Sequence, residues 1–392
     1  MAYSIPTNPL DVLTAVVQVG ITRDVILNNT FRSSGTLGML LRRSYEGSFG
    51  SDNMPGWDLS KVRAKPGTAE LAGAGVSFTA QLGNLSGSTV VGTGLETITY
   101  NPQNNQQLAS AKWSVYGDPI IFTEAECGAA GFDPDSISGM SEADLKSAGE
   151  YFYEKVRNAA EQQLEDMSGD LFRADVTTQP YNSEYGMVSI FHALVGNSVA
   201  TFGSASYYGV DRSTSPGSVF LGNLDATVYA TTNALNTTHA QYVLSVLSNN
   251  TTTLTNNGSK KKDLFWVLPT KPFNLVGQAL MGSSNVRFTE AGIPDLNGFI
   301  VNGVPVTTDY FVALDDSPLS GTGASDAGAR AFCLDSAVTK CFFPSKTKTL
   351  FRVRRLTQSQ ATMGYFTRIV SMLQVAIQNP WRNICVSDLY RT

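Results

Sequence analysis

The segment from Ser141 to Gly169 has the strongest pattern in this sequence, and it predicts one long helix. Ser141 followed by Asp144 is typical of a helix N-terminus, because a hydroxyl and a carboxylate three residues apart can cap its free N–H groups. Gly169 is the residue expected to end the helix. At 1.5 Å per residue, about 26 residues make a helix of roughly 40 Å, which is long for a globular domain.

The predicted helix has one apolar face and one charged face. Its apolar residues recur at spacings of three and four, as on a helix that covers a core. They are Leu145, Ala148, Phe152, Val156, Ala159, Ala160, Leu164 and Met167. The opposite face carries Glu150, Glu154, Lys155, Arg157, Glu161 and Glu165. We therefore expect the helix to lie on a sheet with its acidic face outward.

Strand patterns precede this helix, between residues 74 and 122. GVSFTAQL, STVV and ETITYN alternate as strands do, and KWSVYGDPIIF predicts a further strand through Trp113 and Ile120. Two long strands that flank the polar stretch NPQNNQQLASAKW predict an extended β-hairpin or loop. A lone two-stranded hairpin is marginally stable in water, so we expect this one to need a neighbour.

The rest of the chain alternates between helix and strand patterns. Residues 8–31 have a short, interrupted helical stripe, and residues 33–73 predict a loosely structured arm. Residues 191–340 predict an α/β domain in which LFWVLPT, at 264–270, is a central strand buried on both faces. After residue 341 the pattern returns to strands. GYFTRIVSMLQVAIQNPWRNICVSDL could be a long strand pair or a strand plus a helix, which periodicity does not decide.

The composition excludes several classes of protein. Only 16% of the residues are charged and the net charge is −5, which argues against broad nucleic-acid binding, because that needs many cationic side chains. The four cysteines have no metal-binding spacing, so we expect free buried thiols in a reducing compartment. The first residues lack the pattern of a secretory signal peptide, and no apolar run is long enough for a membrane span.

Charge is unevenly distributed along the chain. Residues 101–190 contain fifteen acidic and five basic residues, whereas residues 341–392 contain eight basic residues and one acidic residue. These segments are either two solvated faces or a complementary pair, and the pairing could lie within one subunit or between subunits.

The sequence contains no recognisable catalytic constellation. The motifs GxxxxGK[ST], GxSxG and GxGxxG are all absent. His192 lies in an apolar run typical of a core position, and His239 lies among threonines. Asp133 and Asp135 match the start of a calcium loop, but the remaining ligands are missing. We expect no enzymatic activity, no cofactor and no metal site.

The order of these elements is similar to that of a known family. An arm is followed by an extended β-loop ending in AKWSVYGDPIIFTEAE and by the long acidic helix. A central α/β part then contains LFWVLPTKPFNLV and GFIVNGVPVTTD, and basic strands end in RNICVSDL. This order resembles that of the major capsid proteins of tailed bacteriophages, whose shell fold is also seen in encapsulins.

The resemblance implies an α+β fold of the Hong Kong phage type. It divides the chain into an N-terminal arm (1–73), an extended β-loop that reaches over a neighbour (74–122), a peripheral domain with a spine helix at 141–169 (123–190), an axial α/β domain (191–340) and C-terminal strands that return to both domains (341–392).

The function that the resemblance implies is structural. Copies of the chain would assemble as hexamers and pentamers into an icosahedral shell that encloses the double-stranded DNA of a tailed phage. Expected partners are a separate scaffolding protein, a portal and decoration proteins, with no membrane. The protein would be assembled in the host bacterial cytoplasm and end in the virion capsid.

Nine residues are candidates for assembly interfaces on the basis of the loop, the acidic helix face and the basic strands. They are Lys112, Trp113, Tyr116, Glu154, Glu161, Glu165, Arg354, Arg355 and Arg368. Two alternatives to a phage shell stay open. One is an encapsulin-like compartment with the same fold, and the other is a β-rich phage tail or adhesin protein, which would not explain the long acidic helix.

Overall fold

The computed structural model divides the chain into two compact units, each built from segments that are far apart in sequence. Unit 1 contains Met1–Pro66, Trp113–Asp170 and Cys341–Gln374, and unit 2 contains Gly67–Lys112, Leu171–Lys340 and Val375–Thr392. The structure describes residues 36–37, 40, 70–71, 75–82, 106–129, 142–172, 187–195, 206–212, 220–225, 237–281, 299–312, 328–342, 351–354, 357–359 and 364–391.

The described strands and helices are numbered in chain order. The strands are β1 (Glu70–Leu71), β2 (Gly75–Gln81), β3 (Gln106–Lys112), β4 (Ser114–Thr123), β5 (Ser206–Tyr207), β6 (Val210–Asp211), β7 (Asn223–Asp225), β8 (Leu264–Leu268), β9 (Phe299–Val301), β10 (Val304–Thr308), β11 (Gly328–Asp335), β12 (Thr339–Phe342), β13 (Phe351–Val353), β14 (Thr357–Ser359), β15 (Gly364–Ile377) and β16 (Ile384–Arg391). The helices from Glu124 onward are α1 (Glu124–Ala129), α2 (Glu142–Phe172), α3 (Ile190–Val195), α4 (Thr237–Asn256) and α5 (Thr270–Met281).

Helix α2 confirms the long helix expected from the sequence, and its 31 residues make it about 46 Å long. The expected end at Gly169 is wrong, because the helix continues to Phe172. Leu171 and Phe172 are buried, which stabilises the last turn by about 1.5–3 kcal/mol for each side chain. That gain exceeds the cost of about 1 kcal/mol for a glycine inside a helix. Ser141, the expected cap, lies outside the described residues.

Strand β15 organises a five-stranded sheet, because β4, β12, β13 and β14 all pair with it. Its antiparallel register with β4 runs from Ser114 opposite Leu373 to Thr123 opposite Gly364. At Gly364 the strands are so close that any Cβ would collide with the carbonyl oxygen of Phe122. The periodicity left the segment after residue 363 undecided, and the structure forms a strand of 14 residues there.

Helix α2 packs on one face of this sheet. The rings of Phe122 and Phe152 lie 4.2 Å apart between β4 and the helix. Buried Gln163 donates from Nε2 to the Ile369 carbonyl oxygen over 3.1 Å and accepts from Ser371 Oγ over 2.9 Å. The helix therefore covers the face of β15 that carries Ile369 and Ser371.

Unit 2 is built around a six-stranded mixed sheet in the order β7-β16-β11-β8-β10-β9. All five residues of β8 are buried, which confirms the central strand predicted from LFWVLPT. Side chains of α4 and α5, among them Val243, Leu247 and Val276, pack with Trp266 of β8 in one apolar core. The turn between β9 and β10 has Asn302 and Gly303 at positive φ, as the Asn-Gly sequence favours.

Helix α4 runs from Thr237 through a threonine-rich segment to Asn256. Leu254 is buried, and Thr251 and Thr255 bond from Oγ1 back to carbonyl oxygens four residues earlier, each over 2.7 Å. Thr251 Oγ1 also accepts from Trp266 Nε1 over 3.0 Å. Burial and these side-chain bonds offset the low helix propensity of threonine.

The predicted extended hairpin has a different partner strand from the one expected. The strand paired with β2 is β3, within the stretch assigned to the polar tip, and β4 pairs with β15 instead. One face of the β2–β3 hairpin is buried in unit 2, where the Phe78 ring lies 5.2 Å from that of Tyr208. Ser110 N donates to the Tyr208 carbonyl oxygen over 2.8 Å. This part of the hairpin is therefore anchored within its own chain.

All four cysteines are free and buried, as expected from their spacing. Burial raises the pKa of the Cys333 thiol well above its ordinary value and that of Cys385 to about 12. Both thiols therefore stay protonated and unreactive at neutral pH.

Candidate assembly surfaces

The outward side of α2 is acidic. Glu150, Glu154, Glu165 and Asp166 are exposed, whereas Phe152, Val156, Ala160, Leu164 and Met167 are buried on the opposite side. None of these four carboxylates forms an ion pair with a residue of the described ranges. We call Glu150, Glu154, Glu165 and Asp166 the acidic helix face.

The side of the sheet turned away from α2 is basic and apolar. Residues alternate between the two faces of a strand, so Phe366 and Arg368 point away from the helix, whereas Ile369 and Ser371 face it. The register extends this outward side across the sheet, since Ile121 lies opposite Phe366. We call the following exposed residues the basic sheet face: Val115, Ile121, Arg352, Arg354, Phe366 and Arg368.

The basic sheet face has exposed side chains that are unusual for a solvated sheet. Ile121 is 50% exposed, Phe366 41% and Val115 37%. The outward positions of an antiparallel sheet in water are normally polar. Nothing in the sequence pattern singles out these three residues as interface candidates. The alternation within KWSVYGDPIIF marks two strand faces, but only the pairing with β15 shows which face stays uncovered.

Lys155, near the middle of α2, connects that helix to β4 and α1. Its ammonium group donates to the Ile121 carbonyl oxygen over 2.8 Å and to both Glu126 carboxylate oxygens over 2.9 Å. It also lies 5.0 Å from the centre of the Phe122 ring. The bonds from Lys155 and from the Thr123 backbone N–H lower the pKa of Glu126 to about 2. Lys155 therefore contributes to the fold, although the sequence assigned it to the outward charged face.

Several of the nine candidates already have contacts within their own chain. Trp113 is only 9% exposed, so it offers little surface to another copy. Tyr116 donates from its hydroxyl to Asp170 Oδ2 over 2.6 Å, and Glu161 pairs with Arg157 over 2.8 Å. These three are weaker interface candidates than the exposed charged residues.

The remaining candidates are mostly exposed. Lys112 lies at the end of β3 with its side chain exposed, and Glu154 and Glu165 belong to the acidic helix face. Arg354 and Arg368 lie side by side on the basic sheet face, where Arg354 N donates to the Arg368 carbonyl oxygen over 2.8 Å. Arg355 lies outside the described residues. The structure thus separates the acidic and the basic candidates onto opposite sides of unit 1.

Among the described residues, no cluster of three His, Cys, Asp or Glu side chains could hold a metal ion. No helix in the described part of the chain is long and apolar enough to cross a membrane. The side chains of His192 and His239, and the pair Asp133 and Asp135, lie outside what the structure describes.

Solved structures with the same arrangement of elements are known. The capsid asymmetric unit of Cyanophage A-1(L) matches with a TM-score of 0.51 at 14% identity, over 80% of this chain and 88% of that one. This chain has the tailed-phage capsid fold of the Hong Kong phage type. No family profile matches the sequence, and no curated protein does.

Two further structures are similar at lower scores. The capsid of Cyanophage P-SCSP1u has a TM-score of 0.47 at 10% identity, with 82% of this chain and 85% of that one covered. The holo-SrpI encapsulin complex from Synechococcus elongatus PCC 7942 has a TM-score of 0.42 at 11% identity, with 81% and 84% covered. The match to the Cyanophage A-1(L) capsid confirms the α+β capsid fold expected from the order of elements.

Proposed function

We propose that this protein is the major capsid protein of a tailed phage, a structural subunit without enzymatic activity. The observation that carries the proposal is the similarity in fold to the Cyanophage A-1(L) capsid subunit, which extends over 80% of the chain. The uncovered apolar residues of the basic sheet face support it, because a subunit that works within a shell leaves surface that only another protein covers.

The proposal gives each segment of the chain a role in the shell. Residues 1–73 form an N-terminal arm, 74–122 an extended loop that reaches a neighbour, and 123–190 a peripheral domain with α2 as its spine. Residues 191–340 form the axial domain, which is placed around the five- and six-fold axes, and 341–392 return to both domains. Strand β15 belongs to one sheet and β16 to the other, which supports the proposal that residues 341–392 return to both domains.

The partners follow from the same proposal. Copies of the chain assemble into hexamers and pentamers, with a separate scaffolding protein, a portal and decoration proteins as further components. The shell encloses double-stranded DNA without reading its sequence. A net charge of −5 suits that task, because a negative protein does not adhere strongly to phosphates. Assembly takes place in the host bacterial cytoplasm and the product is the virion capsid.

Negative-stain electron microscopy of the purified protein tests the proposal. We expect closed shells or ring-shaped capsomers, and size-exclusion chromatography should show species far larger than 42.1 kDa. A protein that stays monomeric under all assembly conditions, including co-expression with a scaffolding protein, would overturn it.

An encapsulin-like compartment is the second candidate, since the SrpI encapsulin complex is among the similar structures. The contents of native particles separate the two functions. Particles that protect double-stranded DNA from nuclease support the phage capsid, whereas particles that enclose protein and no DNA support the compartment. A fibre or an isolated adhesin would contradict both.

A further inference from the structure

The two charged faces of unit 1 cannot neutralise each other within one subunit. Gln163 and Phe152 place α2 against one side of the sheet, and Arg368 lies on the other side by strand alternation. A helix is about 10 Å thick, so the acidic and basic side chains are separated by more than the Debye length of about 8 Å at physiological salt. Attraction between the faces within one copy is therefore screened.

The basic sheet face has the composition of a protein interface. Arginine and aromatic residues are enriched in such interfaces, and this face combines Arg352, Arg354 and Arg368 with Phe366 and Ile121. All three arginines are exposed, and none forms an ion pair with a residue of the described ranges. No acidic side chain lies among the residues that define this face.

The size of the face suits one of many contacts in an assembly. The ten-residue stretch over which β4 and β15 pair spans about 33 Å, and three strands spaced by about 4.8 Å give a width of roughly 15 Å. That area is about half of what each partner contributes to a standard protein interface. A contact of this size is weak alone and needs repetition to hold copies together.

We propose that the basic sheet face of one copy binds the acidic helix face of a second copy. Arg354 and Arg368 meet the carboxylates of Glu154 and Glu165, and the apolar side chains between the arginines exclude water, which strengthens these ion pairs. The inference rests on the proposed function and deepens it, because it identifies which surfaces meet. The complementary charge segments in the sequence then pair between subunits.

This contact is heterologous, because it joins two different surfaces of identical chains. After the first contact, the pair of copies still has one unused face of each kind, so the contact repeats from copy to copy. Repetition closes into rings when the rotation between copies allows it. One chain can therefore build a capsomer without a symmetric two-fold patch.

Charge-reversal variants test the inference. Arg354→Glu with Arg368→Glu makes the sheet face acidic, and Glu154→Lys with Glu165→Lys makes the helix face basic. Each double variant should fold with an unchanged melting curve but assemble with a roughly tenfold lower yield, because both faces then carry the same charge. Wild-type yield from either double variant would overturn the inference.

Mixing the two double variants gives the decisive result. The reversed sheet face of one variant then meets the reversed helix face of the other, so the mixture should assemble although neither variant does so alone. The quadruple variant should assemble by itself. Failure of both combinations would show that the two faces do not meet, whatever else each one binds.

Two controls complete the design. Lys260→Glu with Lys262→Glu changes the net charge by as much as the arginine double variant does, but at exposed residues of unit 2. This control should assemble normally. Arginine variants that form normal shells but retain less DNA would overturn the inference in favour of a nucleic-acid contact. If the wild-type protein forms neither shells nor rings, the proposed function itself fails, which is a separate outcome.

Discussion

At the scale of single residues, Lys155 shows that a charged residue on the outward side of a helix can still form contacts that stabilise the fold. The sequence places it on the charged outward face of the long helix, between glutamates. In the structure its ammonium group joins Glu126 of α1, the Ile121 carbonyl oxygen of β4 and the ring of Phe122. The long, flexible side chain of a lysine can thus contribute to the fold while its charged neighbours on the helix remain in solvent.

The Glu126–Lys155 pair makes stability depend on pH. The pKa of Glu126 is lowered from 4.5 to about 2 in the folded protein, so its contribution is complete above pH 4.5 and is lost as the pH falls towards 2. Glu126→Gln should therefore be less stable than the wild type at neutral pH. The difference in urea midpoint between the two proteins should shrink as the pH falls from 4.5 to 2.

A matched control for this titration is Glu154→Gln. Glu154 is exposed on the same unit and has no ion pair with a described residue, so its replacement should change stability little at any pH. A difference in urea midpoint between the wild type and Glu126→Gln that stays constant as the pH falls towards 2 would contradict the ion pair between Glu126 and Lys155.

At the scale of elements, α2 and the sheet organised by β15 stabilise each other. A helix with one apolar face needs a surface to cover, and a sheet this long needs one covered face. Phe152, Val156, Ala160 and Leu164 supply the apolar contact, and the hydrogen bonds of Gln163 set the position of the helix along β15. Packing against the sheet therefore stabilises helix α2 more than its intrinsic helix propensity does.

Phe152→Asp tests the buried face of this helix. Phe152 is 3% exposed and its ring lies 4.2 Å from that of Phe122, so an aspartate there would be an unpaired charge in the core. That costs several kcal/mol, which is comparable to the whole stability of about 5–15 kcal/mol of a domain. We expect no soluble folded protein, as judged by expression yield and the absence of a melting transition.

The control for this variant is Asn158→Asp, which introduces the same side chain on the exposed side of the same helix. Surface substitutions change stability by about 0.5 kcal/mol or less, so this protein should melt as the wild type does. A normal melting curve for Phe152→Asp would show that α2 does not pack on the sheet as described.

At the scale of the whole molecule, the C-terminal segment completes both sheets. Strand β15 pairs with four other strands in one sheet, and β16 lies between β7 and β11 in the other. Buried Asp335 at the end of β11 pairs with Arg382 over 2.7 Å, and its N–H donates to Asn383 Oδ1 over 2.7 Å. Both units therefore depend on residues of the last two strands, β15 and β16.

A chain that ends at Lys340 should consequently fail to fold in both units. It lacks β13 to β16, so α2 loses the strand that it covers and the six-stranded sheet loses β16 from its interior. Circular dichroism and urea unfolding should show no cooperative transition. Removal of Thr392 alone is the control and should have no effect. A cooperative transition in the shorter chain would show that one unit folds without the C-terminal strands.

The sequence by itself determined the elements whose pattern is local. The long helix, the buried strand β8, the free cysteines and the order of elements that resembles phage capsid proteins were predicted correctly, because periodicity and spacing depend only on neighbours along the chain. The candidate sites were predicted as charged segments, and the exposed members Glu154, Glu165, Arg354 and Arg368 lie on the two charged faces of unit 1.

Only the tertiary structure decided which strands pair and which faces stay uncovered. The hairpin partner of β2 is β3, and β4 pairs with β15 about 250 residues away in sequence, which no local pattern reports. The two faces of a strand are equivalent until another element packs on one of them. The covering of one face by α2 is what leaves Ile121, Phe366 and Arg368 outward, and with them the basic sheet face.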